Sequence, residues 1–205
     1  MKGVYINLEH RKDRRQHMEQ LTQRYGFFSN LERLDACFGP RGDIACGMSH
    51  IKALNRFSAF NEHYYMVLED DFMILNAEIY KEFEVAFDRI KDLEWDVIVL
   101  TPLGKDIHRN YYPGFHRICD TQTTTGYILK HHMLETFKSI FSLGISHLQQ
   151  NHSPNQWSID QVWKPLQRDK VFLFYNRCFA GQLPGYSDIE KRMVNYNRPF
   201  LDTHL

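Results

Sequence analysis

The sequence predicts an α/β fold in which a mixed, mostly parallel sheet is covered by helices on both faces. Two observations predict it. Short apolar runs rich in β-branched and aromatic residues alternate with segments whose apolar residues recur every three or four positions. The runs are apolar throughout rather than at every second residue, which is the pattern of strands buried on both faces.

Taken in order, residues 4–6, 64–68, 97–100, 125–129 and 171–174 read as strands. Helical spacing appears at Met18, Leu21 and Tyr25, then at Ile51, Leu54 and Phe57, and at Ile79, Phe83, Phe87 and Ile90. It returns at Met133, Phe137, Ile140 and Phe141, and at Ile159, Val162, Trp163 and Leu166. Ser158-Ile159-Asp160-Gln161 and Ser187-Asp188-Ile189-Glu190 both fit the capping-box pattern, so helices are expected to begin there. Residues 181–185, with Pro184, read as a loop.

A chain of 205 residues with 43% hydrophobic and 14% aromatic content supports one substantial core, so residues 1–205 are expected to form a single domain. Lys plus Arg and Asp plus Glu both number 25, which lacks the basic excess of a nucleic-acid binder. The apolar runs are far shorter than the roughly 20 residues a membrane span needs. Charged residues follow Met1 at once, with no apolar signal core, and a cytoplasmic protein is expected. Cys37, Cys46, Cys119 and Cys178 have no redox or metal-finger spacing and read as free thiols.

In open α/β sheets, ligands bind beyond the carboxyl ends of strands. Glu69-Asp70-Asp71 follows the 64–68 strand directly, and three adjacent acids raise one another's pKa unless a positive group meets them. A hard divalent ion, Mn²⁺ or Mg²⁺, takes one or two carboxylates and completes its shell with water and phosphates. The cluster therefore suits a diphosphate substrate, although a solvated acidic turn is the simpler structural reading. Arg11, Lys12, Arg14 and Arg15 open the first helix, where the dipole disfavours cations. That placement suggests a bound anion such as a pyrophosphate, with a solvated basic face as the alternative.

Ile6-Asn7-Leu8 with Arg11, Asp13 and Arg14, then Cys46-Gly47-Met48-Ser49-His50, then Val67-Leu68-Glu69-Asp70-Asp71, and the 125–129 strand occur in an order that resembles glycosyltransferase family 25 of lipopolysaccharide and collagen-type glycosylation. The resemblance covers most of the first 130 residues; Ala45 stands where that family usually has Gly. It implies a GT-A-type, Rossmann-like fold, a nucleotide-sugar donor such as UDP-galactose or UDP-glucose, Mn²⁺, and inversion at the anomeric carbon. It also implies that Asp70 or Asp71 ligates the metal.

The resulting assignment gives the metal to Asp71 with Asp70, and the donor to Asn7, Leu8, Arg11, Arg14, Ser49, His50, Glu69 and Asp70. Asp160 is the first candidate for the base that an inverting transfer needs, with Asp188 second; both also fit structural roles inside their capping boxes. Thr125, Gln156 and Trp157 are candidates for the acceptor, a glycan or glycoconjugate. Ser49 reads equally as the cap of the Ile51 helix. His204 is a further candidate metal ligand. Two other classes compete: a metal-dependent nucleotidyl- or phosphoryl-transfer enzyme, and a non-catalytic module of the same fold that binds glycan or nucleotide.

Overall fold

The computed structural model describes residues 1–197 and residue 200; His204 lies outside them. Twelve strands and seven α-helices are formed among the described residues. The strands are β1 (Lys2–Asn7), β2 (Leu31–Asp35), β3 (Tyr64–Glu69), β4 (Phe72–Ile74), β5 (Val97–Val99), β6 (Leu103–Tyr112), β7 (Phe115–Gln122), β8 (Gly126–Lys130), β9 (Phe172–Tyr175), β10 (Ala180–Gln182), β11 (Gly185–Ser187) and β12 (Arg192–Val194). The helices are α1 (Lys12–Arg24), α2 (Gly42–Phe57), α3 (Ala77–Ile90), α4 (Leu134–Gln149), and the short α5 (Pro154–Trp157), α6 (Ile159–Val162) and α7 (Leu166–Asp169).

The main sheet has the order β2-β1-β3-β8-β5-β9-β7-β6. Pairing is parallel at β1–β2, β1–β3 and β5–β9 and antiparallel at the other four junctions, so β7 and β8 run against the remaining six strands. The sheet is thus mixed, with most strands pointing one way. All five expected strands lie in it.

Successive residues of these strands face opposite layers. Val4, Ile6, Tyr65, Val67, Val97, Val99, Tyr127 and Leu129 pack with α2 and α4, while Tyr5, Met66, Leu68, Ile98 and Ile128 pack with α1 and α3. Covering both faces is why the strand runs carry no polar alternation. Helix α3 illustrates the local logic: Asn76 Oδ1 accepts hydrogen bonds from the amides of Glu78 and Ile79, both at 3.0 Å, and its apolar stripe buries Tyr80, Phe83, Phe87 and Ile90.

Three expectations change. The helical spacing from Ile159 to Leu166 is broken into α6 and α7, because Pro165 cannot donate within a continuous helix. Ser187-Asp188-Ile189-Glu190 does not start a helix but turns the hairpin β11–β12. Ser187 Oγ still accepts from the Glu190 amide at 3.1 Å, so the capping-box bond forms in a turn, where Lys191 adopts φ +54°. Part of the 181–185 loop is strand β10, paired antiparallel with β4. The β6–β7 hairpin, polar along much of one strand, turns at Pro113-Gly114 with Gly114 at φ +82°, as a type II turn requires.

Phe83 is fully buried and stacks on Phe179 with centroids 4.4 Å apart. Phe83→Ala is expected to cost about 3–5 kcal/mol, measured as a fall in the urea midpoint at unchanged denaturant slope.

Candidate functional site

Strand β1 ends on Asn7 and the adjacent, parallel β3 ends on Glu69, so the register Ile6↔Glu69 sets the polar ends of two buried strands side by side. Asp70 and Asp71 form the turn between β3 and β4. Asn7 is 1% exposed; its amide donates to Asp70 Oδ2 at 2.7 Å and to the Arg11 carbonyl at 3.1 Å, and its Oδ1 accepts from Arg33 Nε at 2.9 Å.

Arg14 projects from the first turns of α1 and donates to Asp70 Oδ1 at 2.9 Å and Asp71 Oδ2 at 3.1 Å; its other nitrogen donates to the Tyr186 carbonyl at 3.1 Å. Arg11 instead pairs with Asp13 and Asp188, both at 2.9 Å. Arg11 and Arg14 at this helix start therefore meet carboxylates of the chain itself, which offsets the dipole problem for them without an external anion.

The two oxygens of Asp70 are thus taken by Asn7 and Arg14. Asp71 differs. Its Oδ2 accepts from Arg14 and from Gln182 Nε2 at 2.9 Å, while its buried Oδ1 accepts no hydrogen bond from the described residues. Burial, then the neighbouring charges of Glu69 and Asp70, push the Asp71 carboxyl up to about 7. Glu69 goes the other way: burial raises it, but hydrogen bonds from His50 at 3.3 Å and Thr124 at 2.8 Å, with the charge of His50, bring it below its ordinary value. A carboxylate oxygen lacking a donor, on a residue that lines a cavity, is the kind of ligand Mg²⁺ or Mn²⁺ takes.

Two cavities meet here. The first, about 270 Å³, is lined by Leu8, Arg14, Ser49, His50, Glu69, Asp70, Asp71 and Asp188. Its apolar wall includes Phe38, 82% exposed, on the loop after β2. The second, about 280 Å³, holds Asp160, Thr124 and Thr125, and shares Cys46, Glu69, Gln182, Ser187 and Ile189 with the first.

Asp160 opens α6. Its Oδ2 accepts from Gln161 Nε2 at 3.2 Å, and the Thr123 amide also donates to its carboxylate. Burial raises its pKa. Thr123 has φ +76°, a conformation costly for a β-branched residue, and its hydroxyl donates to the Thr101 carbonyl at 2.6 Å. Asp160 thus lies on a cavity wall with its carboxyl raised by burial, beside the positive-φ residue Thr123.

Other assignments move. Ser49 and His50 lie within α2, which begins at Gly42, so neither opens a helix. Ser49 Oγ donates to the Ala45 carbonyl at 2.7 Å and accepts from the Cys37 amide at 2.8 Å, tying the loop after β2 to α2. Asp188 sits in the β11–β12 turn, paired with Arg11. Thr125 lines the second cavity and its carbonyl accepts from the Glu69 amide at 2.8 Å. Gln156 and Trp157 line neither cavity; the Trp157 ring stacks on His147, centroids 3.4 Å apart, and so is turned to helix α4.

Residues the sequence did not single out for the site are Thr124, Tyr127, Phe38 and Gln182. Gln182 reaches Asp71 because β10 pairs with β4, placing Gln182 opposite Phe72. The apolar run after Asp71 was the available hint of that pairing.

The chain matches no model of a known protein family and no curated protein. Its fold is similar to that of solved structures. A glycosyltransferase involved in the glycosylation of the major capsid of PBCV-1 superposes with a TM-score of 0.54 at 10% identity, covering 98% of this chain and 92% of that one. A UDP-glucose pyrophosphorylase complexed with UDP-glucose superposes at 0.45 and 11% identity, covering 84% and 72%. On the first of these likenesses, the eight-stranded mixed sheet flanked by helices is of the GT-A-like kind. Among the described residues, no helix is long and apolar enough to cross a membrane.

Arg14, Asp70 and Asp71 are about nine-tenths buried. Arg14→Met is expected to cost about 3–5 kcal/mol by stranding two buried carboxylates, read from urea unfolding. Asp71→Asn is expected to stabilise. A carboxyl whose folded pKa is raised binds its proton more tightly when folded, so the wild-type chain loses stability as pH rises from about 4 to about 7. The gain of Asp71→Asn should therefore be small near pH 4 and level off above pH 7 at about 1 kcal/mol or more, roughly 2–4 °C in Tm.

Proposed function

We propose that the chain is a glycosyltransferase that moves a hexose from a nucleotide-diphosphate sugar to a hydroxyl of a glycan or glycoconjugate, with inversion. One observation carries the reading: Asp71, with a buried oxygen that no donor among the described residues meets, lines one cavity, the raised Asp160 carboxyl lines the next, and Glu69 stands on the wall they share. The family 25 resemblance of the Asn7, Ser49-His50 and Glu69-Asp70-Asp71 elements supports it and favours UDP-galactose or UDP-glucose.

In this reading the first cavity takes the nucleotide. Leu8 and Phe38 line its apolar side, and Arg14 and Ser49 its polar side. Asp71 would hold Mn²⁺ or Mg²⁺ by its free oxygen, supplying charge stabilisation to the departing diphosphate. Asp70, with both oxygens engaged, orients Arg14 and Asn7 instead of holding the ion directly.

The acceptor enters the second cavity past Thr125. Its hydroxyl oxygen forms a bond to the anomeric carbon as the bond to the diphosphate oxygen breaks; the diphosphate leaves with the electron pair. Asp160 takes the hydroxyl proton. Burial that raises a carboxyl toward neutral pH is the tuning a general base needs. A single displacement of this kind inverts the anomeric centre.

The test is a panel of UDP-, GDP- and dTDP-sugars with Mn²⁺ or Mg²⁺, followed as nucleotide release with glycan acceptors. One donor should be consumed only with metal; Asp71→Ala should abolish turnover, and Asp160→Asn should slow it by about 10²–10⁴-fold while still binding donor. Release of pyrophosphate or a sugar phosphate would instead mark nucleotidyl or phosphoryl transfer. Metal-independent nucleotide binding without turnover would mark a binding module.

A further inference from the structure

A second group of ligand-type side chains gathers where the two cavities join. Cys46 and His50 are one turn apart on the same face of α2, and Glu69 ends β3 opposite them. The Cys46 thiol, an imidazole nitrogen and a Glu69 carboxylate oxygen all lie within 4.8 Å of one another.

The nitrogen-to-oxygen spacing is that of a coordination shell. His50 Nε2 and Glu69 Oε1 stand 3.3 Å apart, at the long end for a hydrogen bond. Nitrogen and oxygen ligands at zinc bond lengths and a tetrahedral angle are about 3.4 Å apart. The surroundings match as well. His50 Nδ1 is 3.0 Å from the Tyr127 hydroxyl, whose ring stacks on the imidazole, and Thr124 donates to Glu69 at 2.8 Å. A ligating imidazole is oriented by a partner on its other nitrogen, and ligating carboxylates are themselves hydrogen-bonded. Cys46 and Glu69 line both cavities, which gives an ion a path in.

We propose that Cys46, His50 and Glu69 form a site for a borderline divalent ion of the Zn²⁺ or Co²⁺ type, separate from the oxygen-only ligation at Asp71. Sulfur and imidazole select such ions over Mg²⁺ and Ca²⁺. Three protein ligands leave a fourth position for water or a bound molecule. Binding expels the thiol proton to solvent, so affinity rises with pH.

The test needs no sugar donor, so its outcome is independent of glycosyl transfer. The full chain is titrated with Co²⁺ and the near-ultraviolet thiolate-to-cobalt charge-transfer absorption is followed. Saturable absorption is expected, displaced by equimolar Zn²⁺ and lost in Cys46→Ser. It should persist in Asp71→Asn and in a variant with Cys37, Cys119 and Cys178 all changed to Ser. That last variant keeps the test decisive if Cys46→Ser fails to fold. Absence of thiolate absorption at excess Co²⁺ in the parent or in the variant whose sole cysteine is Cys46, or its survival in a folded Cys46→Ser, overturns the proposal.

Discussion

The contact on which the site depends is the buried pairing of Arg14 with Asp70 and Asp71. Three carboxylates at the end of a strand buried on both faces would repel one another and suffer desolvation. Arg14 reaches two of them from α1, Asn7 holds the far oxygen of Asp70, and His50 and Thr124 meet Glu69. The same guanidinium also holds the Tyr186 carbonyl, so the β11–β12 hairpin is fastened over the first cavity by the group that neutralises the acids. Among the described residues, one oxygen of Asp71 is left without a donor, and the metal proposed above would meet it.

The fold places these groups by strand order. β1 and β3 are parallel neighbours near the middle of one half of the sheet, so their carboxyl ends open on the same side. β8 lies antiparallel to β3, which brings its entry segment, Thr124-Thr125, to the same end as the exit of β3. The loop after β2, the hairpin β11–β12 and α6 then close the walls. The two cavities share Glu69 because it is the last residue of the strand between them.

Much of this was legible in the sequence, and the exceptions have physical causes. β1, β3, β5, β8 and β9 were readable because burial on both faces removes polar residues from them. β6 and much of β11–β12 are exposed on at least one side and carry no such run. Ser187 misled because the hydrogen bond that caps a helix also closes a turn. Trp157 misled because a residue beside the site in sequence faces α4 in space. Asn7, Arg14 and Asp71 could be found from strand ends and clustered charge. Gln182, Thr124 and Tyr127 could not, since they arrive through strand pairings between segments far apart in the chain.

Metal-dependent nucleotide recognition at Asp71 is the claim on which the functional reading turns. The most direct measurement is calorimetric titration of the wild-type chain with UDP, with and without Mn²⁺, repeated on Asp71→Ala. UDP binding that requires Mn²⁺ and is lost in Asp71→Ala is the expected result. UDP binding of equal strength without metal, or unaltered in Asp71→Ala, would contradict it.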